Sequence, residues 1–130
     1  MSHITNISCN VRFVNEKVIR ECVQEVAREN GGSVDTTYQD FYKNTHNADL
    51  VLKTRNFKRG LALQKIGAEV GKTEYVFKVD EYGQRDLVRS LVEQVKRSYV
   101  AKLAEQKLRA QGFTVRKKKV KDKIVIEAIR

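Results

Sequence analysis

The chain has no proline, only two cysteines and no long apolar run. With no proline and only seven glycines, it contains no low-complexity linker that would divide it into domains. The two thiols, Cys9 and Cys22, are too few for a disulfide framework or a zinc site. Both fall on apolar faces of their segments and are expected to be buried and inert. No stretch approaches the roughly 18 apolar residues of a membrane span, so no membrane partner is expected. The N-terminal Met1-Ser2-His3-Ile4-Thr5 lacks the basic-then-apolar layout of a secretory signal. One domain over residues 1–130 is expected, in the cytoplasm.

Catalytic signatures are equally sparse. His3 and His46 do not fall into a His-x-x-x-His spacing. Gly67, Gly71 and Lys72 imitate part of a phosphate-binding loop, but their spacing is too short and reads as a turn. Serine nucleophile motifs are absent. Asp40 and His46 could be drawn as an acid–base pair, yet a solvated polar loop over Gln39–Asn47 accounts for them. No catalytic residue, metal or cofactor is expected, and the protein is read as non-enzymatic.

What the chain does have is positive charge at one end. Its net charge is +10. Residues 84–130 carry 14 Lys/Arg against 5 Asp/Glu, a net +9, whereas residues 1–83 carry 12 against 11. Such asymmetry points to a polyanionic partner or to a solubilising surface.

The pattern of apolar residues predicts the order β-α-β-β-β-β-α-β-β. Ile7, Cys9, Val11 and Phe13 alternate with polar neighbours, which predicts a half-buried strand over Thr5–Phe13. Asn15 is placed to cap a helix whose stripe is Val18, Ile19, Cys22, Val23, Val26 and Ala27, ending at Asn30-Gly31-Gly32. The outer face of this helix carries Glu21, Glu25 and Glu29, a poor surface for nucleic acid. Strands are predicted at Val34–Tyr38, Ala48–Arg55, Leu61–Ile66 and Glu74–Val79, joined by short turns as in an antiparallel meander.

A long helix follows over Arg85–Gln111, ended by Gly112. It has no convincing N-cap, with Asp80 and Gly83 as candidates. Its stripe of Val88, Leu91, Val92, Val95 and Tyr99 rotates beyond Tyr99 toward Val100, Ala104 and Leu108. At about 40 Å it is longer than the domain needs, so it bends or its second half packs on something else. Two strands joined near Lys121-Asp122 close the chain as a hairpin. The expected fold is therefore α+β: a mainly antiparallel sheet with two helices on one face, ferredoxin-like with extra strands.

Three features resemble a known family. They are the start Met1-Ser2-His3, the Arg97-Ser98-Tyr99 element with the alanine- and leucine-containing stretch after it, and Gln111-Gly112-Phe113-Thr114-Val115 before a hairpin ending in Arg130. Together they resemble the uncharacterised conserved chloroplast open-reading-frame family, which is also found in cyanobacteria and other bacteria. Position 4 is Ile where that family usually has Phe, and the hairpin here is more basic. The resemblance implies one small α+β domain and transfers no activity. Members are often linked with ATPase-type partners, which is compatible with an adaptor role and no more, and a plastid-encoded member would sit in the stroma.

The basic hairpin is the leading binding candidate. With Val115, Ile124 and Ile126 turned inward, Arg116 and Lys118 share an outward face. The candidate nucleic-acid-binding set is Lys96, Arg97, Lys102, Arg116, Lys117, Lys118, Lys119, Lys121 and Lys123. RNA is favoured over DNA, because Tyr and Phe on neighbouring strands would stack on unpaired bases. Two other readings stay open: hairpin lysines that only block edge-to-edge pairing, and a protein partner or second copy on the long helix.

Overall fold

The computed structural model describes residues 4–9, 11–67, 74–121 and 123–129. The turn expected at Gly71-Lys72-Thr73, the opening Met1-Ser2-His3, the turn residue Asp122 and the final Arg130 lie outside these. The described elements are β1 (Thr5–Ile7), α1 (Glu16–Glu29), β2 (Ser33–Gln39), β3 (Thr45–Lys53), β4 (Leu61–Ile66), β5 (Glu74–Val79), α2 (Arg85–Ala110), β6 (Thr114–Val120) and β7 (Lys123–Ile129). The fold is α+β, in the element order that the sequence predicts.

Five strands form one antiparallel sheet in the order β1-β5-β4-β3-β2, while β6 and β7 form a separate two-stranded sheet. Four successive antiparallel pairings leave the two edge strands, β1 and β2, parallel, with α1 as their crossover. After α2 the chain does not return to the large sheet.

Alternation decides which side chains the sheet buries. Leu50, Leu52, Leu61, Leu63, Tyr75, Phe77 and Val79 join Val18, Ile19, Val23 and Val26 of α1 and Val88, Leu91, Val95 and Tyr99 of α2 in one hydrophobic cluster. Each large apolar side chain removed from water contributes about 1.5–3 kcal/mol. Val51 and Ala62 point the other way and form a second, smaller cluster with Tyr38. The centre of the sheet is thus covered on both faces.

The first strand is shorter than its alternation predicts. Ile7 pairs with Phe77, but the next pairing is Phe13 with Tyr75. A regular ladder would have placed Cys9 there, so the chain has four more residues between these two buried anchors than a regular ladder needs. Cys22 is fully buried as expected, and burial pushes its thiol pKa up. Cys9 is only half-buried and donates to the Val11 carbonyl at 3.3 Å. The polar loop expected over Gln39–Asn47 is also shorter, because β3 already begins at Thr45.

Helix ends follow local chemistry. The Asn15 side chain accepts from the Val18 amide at 3.1 Å, satisfying one orphan donor of the first turn. Gly112 takes φ +91° after α2, a conformation that penalises any Cβ. Gly32 is required for a different reason: a Cβ there would stand 1.8 Å from the Lys53 carbonyl oxygen. The residue before α2 is Gln84, which makes no side-chain cap bond.

Tyr99 joins the halves of the core. Its ring meets Phe13 edge-on at 5.0 Å, and Phe13 meets Phe77 edge-on at 5.3 Å. Its hydroxyl accepts from the amides of Val14 and Asn15 at 3.1 and 3.0 Å. One side chain of α2 therefore fixes the chain where it enters α1. Tyr99→Phe keeps the ring and leaves both amides short of a partner. It should lower stability by about 1–3 kcal/mol, read as a lower urea midpoint with an unchanged slope; a midpoint equal to wild type contradicts this role.

Candidate functional site

The closing hairpin lies along the second half of α2. Cross-strand partners share a face, and Val115, Lys117 and Lys119 of β6 stand opposite Ala128, Ile126 and Ile124 of β7. Val115 is buried and Ile124 and Ile126 are half-buried, so this is the inner face. Arg116 and Lys118 stand on the other face, opposite Glu127 and Val125. Lys121 sits in the turn with φ +57°.

This packing accounts for the surplus length of α2. Its first stripe is buried in the main core, whereas Leu103, Ala104 and Leu108 are half-buried and Val100 is 48% exposed. Val100, Ala101 and Ala104 line an apolar groove of about 420 Å³ with Ile124 and Ile126. Lys96, Arg97 and Lys123 stand on its rim.

The nine predicted cations do not behave alike. Lys117, on the inner face, meets Glu105 of α2 at 3.1 Å, and Lys119 meets Glu29 of α1. Lys102 meets Glu25 at 3.1 Å. Lys118 reaches Glu127 at 3.5 Å, and Lys96 is a loose 3.9 Å from Glu93. Among the described residues, Arg97, Arg116, Lys121 and Lys123 have no carboxylate partner within 4.0 Å. The acidic row of the first helix, which made it a poor surface for nucleic acid, is in fact the hairpin's counter-charge at Glu29.

Exposure sorts the pairs further. The Lys102 side chain is 19% exposed, against 63% for Lys118 and 52% for Lys119. Burial opposes the charged form of Lys102, but Glu25 outweighs it and the pKa stays above the ordinary 10.5. Lys102 is thus a charge held within the helix pair. An exposed pair such as Lys118–Glu127 is worth only about 0–1 kcal/mol, so Lys118 is free to exchange its carboxylate for a phosphate.

The aromatic residues are not where strand stacking requires them. Tyr38, Tyr75 and Phe77, on strands of the sheet, are all buried. The exposed rings are Phe41, Tyr42 and Tyr82, on turns. They carry no family motif, and their sequence positions give no sign that they meet.

Asp40 and His46 do come together, with Nε2 3.1 Å from Oδ2. The same carboxylate also accepts from the Asn44 amide at 2.9 Å and from its side chain at 3.1 Å, closing the β2–β3 turn. Burial acts to raise the Asp40 pKa, but these hydrogen bonds prevail and hold it below the usual carboxylate range. A carboxylate so engaged is a turn-former. Among the described residues no group of three or more His, Cys, Asp or Glu is placed to hold a metal ion. No described helix is long and apolar enough to cross a membrane.

No protein-family model, curated protein or solved structure matches the chain.

The inner ion pairs give a pH signature. Partial burial acts to raise the Glu105 pKa, but hydrogen bonds from Lys117 and Arg109 outweigh it and hold it below the ordinary 4.5. A depressed folded-state pKa stabilises the fold above the unfolded value and ceases to do so as pH falls through the folded value. Wild type should therefore lose thermal stability more steeply than Glu105→Gln as pH falls from about 5 to about 3. Parallel melting curves across that window contradict the pairing.

Proposed function

We propose that the protein is a non-enzymatic nucleic-acid-binding module, with single-stranded RNA preferred to DNA. Phosphates contact the outer face and turn of the β6–β7 hairpin through Arg116, Lys118 and Lys121, with Lys123 and Arg97 beside them. The observation that carries this reading is the division of charge across the hairpin. Lys117 and Lys119 meet helix carboxylates, while Arg116 and Lys121 have none within 4.0 Å among the described residues. Lysines and arginines so placed bind phosphates without reading sequence.

A second reading is supported by the apolar groove beside exposed Val100. It is an adaptor role in which α2 receives an apolar, acidic segment of a protein partner or a second copy. We propose likewise that the chain belongs with the chloroplast family it resembles and is located in the cytoplasm or stroma. For the architecture, we take both helices to lie on the sheet face that carries Leu50, Leu52, Leu61 and Leu63, since these share one cluster with both. The crossover from β1 through α1 to β2 is its ferredoxin-like part.

Five cations on phosphates give a slope of log affinity against log salt of about −3.5 for a single strand. Arg116→Ala with Lys118→Ala and Lys121→Ala should bring that slope to about −1.4 without changing the melting temperature by more than a few degrees. Affinity that ignores salt, or a slope the triple variant leaves intact, overturns the proposal. A strict monomer by light scattering that co-purifies with no protein would count against the adaptor reading.

A further inference from the structure

The chain has ten Phe and Tyr residues and no tryptophan, and all ten are described. Six are buried, Phe113 is half-buried, and three are exposed: Phe41 at 49%, Tyr42 at 64% and Tyr82 at 49%. The three exposed rings touch. Phe41 lies 5.6 Å from Tyr42 and 4.7 Å from Tyr82, centroid to centroid. Exposure that merely leaked out of the core would be scattered, whereas exposed apolar surface gathered in one place marks a contact site.

The cluster is also held in place. Asp80, 1% exposed, accepts from the Phe41 amide at 2.8 Å and the Tyr82 amide at 3.1 Å, so one buried carboxylate joins two turns distant in sequence. Arg59 stands 3.8 Å from that carboxylate, donates to the Tyr82 carbonyl at 2.7 Å, and lies 5.9 Å from the Phe41 ring centre. The neighbouring acids are engaged: Asp40 closes its turn and Glu81 pairs with Arg89 at 3.2 Å. Lys43 and Lys58, next in sequence to Tyr42 and Arg59, are exposed. The acids beside the rings are thus already engaged, whereas Lys43 and Lys58 have no carboxylate within 4.0 Å among the described residues, so the charge left unpaired there suits an anionic ligand.

We infer that Phe41, Tyr42 and Tyr82 form a stacking platform for the unpaired bases of a single-stranded nucleic acid, separate from the hairpin that binds its phosphates. Flat rings accept any base face, and nearby cations hold the backbone. The inference shares its ligand class with the proposed function but rests on different residues, so the two can fail separately.

The test compares a uridine 12-mer with an abasic ribose-phosphate strand of equal length. Without tryptophan the emission is that of tyrosine, and Tyr42 and Tyr82 are its two exposed sources. The uridine strand should quench tyrosine emission and bind at least about tenfold more tightly than the abasic strand. Tyr42→Ala, at the most exposed ring, should weaken uridine binding by about tenfold to hundredfold and leave abasic binding unchanged. Arg116→Ala with Lys118→Ala should weaken both strands alike. Equal affinity for the two strands overturns the platform while leaving the hairpin reading intact, as does a Tyr42→Ala variant that binds uridine like wild type. Tyrosine quenching by an uncharged leucine-rich peptide without tyrosine, but not by the uridine strand, assigns the rings to a protein partner and overturns it too.

Discussion

The hairpin meets the helices with Val115, Ile124 and Ile126, and its inner lysines find carboxylates there. Strand alternation turns Lys117 and Lys119 inward beside Val115, and the helices meet them with Glu105 and Glu29. The Lys117 and Lys119 side chains are 32% and 52% exposed, so each pair contributes about 0–1 kcal/mol and sets how the half-apolar inner face is oriented on the helices. The arrangement divides a run of similar residues into two populations. One is neutralised within the molecule, and the other is presented to solvent at the outer face and the turn.

That division changes what a net charge of +10 means. The charge is concentrated by sequence at one end, but part of it is returned to the first helix. Lys102 and Glu25 act alongside Lys119 and Glu29, so the acidic row is a docking surface for the protein's own cations. Beneath it, Tyr99 ties the long helix to the start of the first one through its ring and its hydroxyl. The hairpin is thereby carried on a rigid pair of helices.

Much of the fold was legible because alternation and helical spacing are local. Leu61–Ile66 and Glu74–Val79 are strands over the residues that their pattern predicts, and Asn15 caps the first helix. The first strand was misjudged because the alternation continues through Cys9 and Val11 after the ladder has stopped. Of the four alternating apolar residues, Ile7 and Phe13 keep a sheet partner, and Cys9 and Val11 have none among the described pairings. The basic residues of the site were visible as a run, but not their sorting, since Lys119 and Glu29 are 90 positions apart. The exposed rings were invisible as a group for the same reason: Phe41 and Tyr82 are brought together by Asp80, which sequence alone offered as a helix cap, and by Arg59.

The most direct measurement is the salt dependence of uridine 12-mer binding after removal of the acids that face the hairpin. Glu29→Gln with Glu105→Gln frees Lys119 and Lys117 for phosphate. The account predicts tighter binding and a slope of log affinity against log salt steeper by about 1.4 than wild type. Glu16→Gln, whose acid pairs with Lys65 and Arg20 instead, should leave the slope unchanged. A slope unaltered or shallower in the double variant would contradict the division of charge on which the account stands.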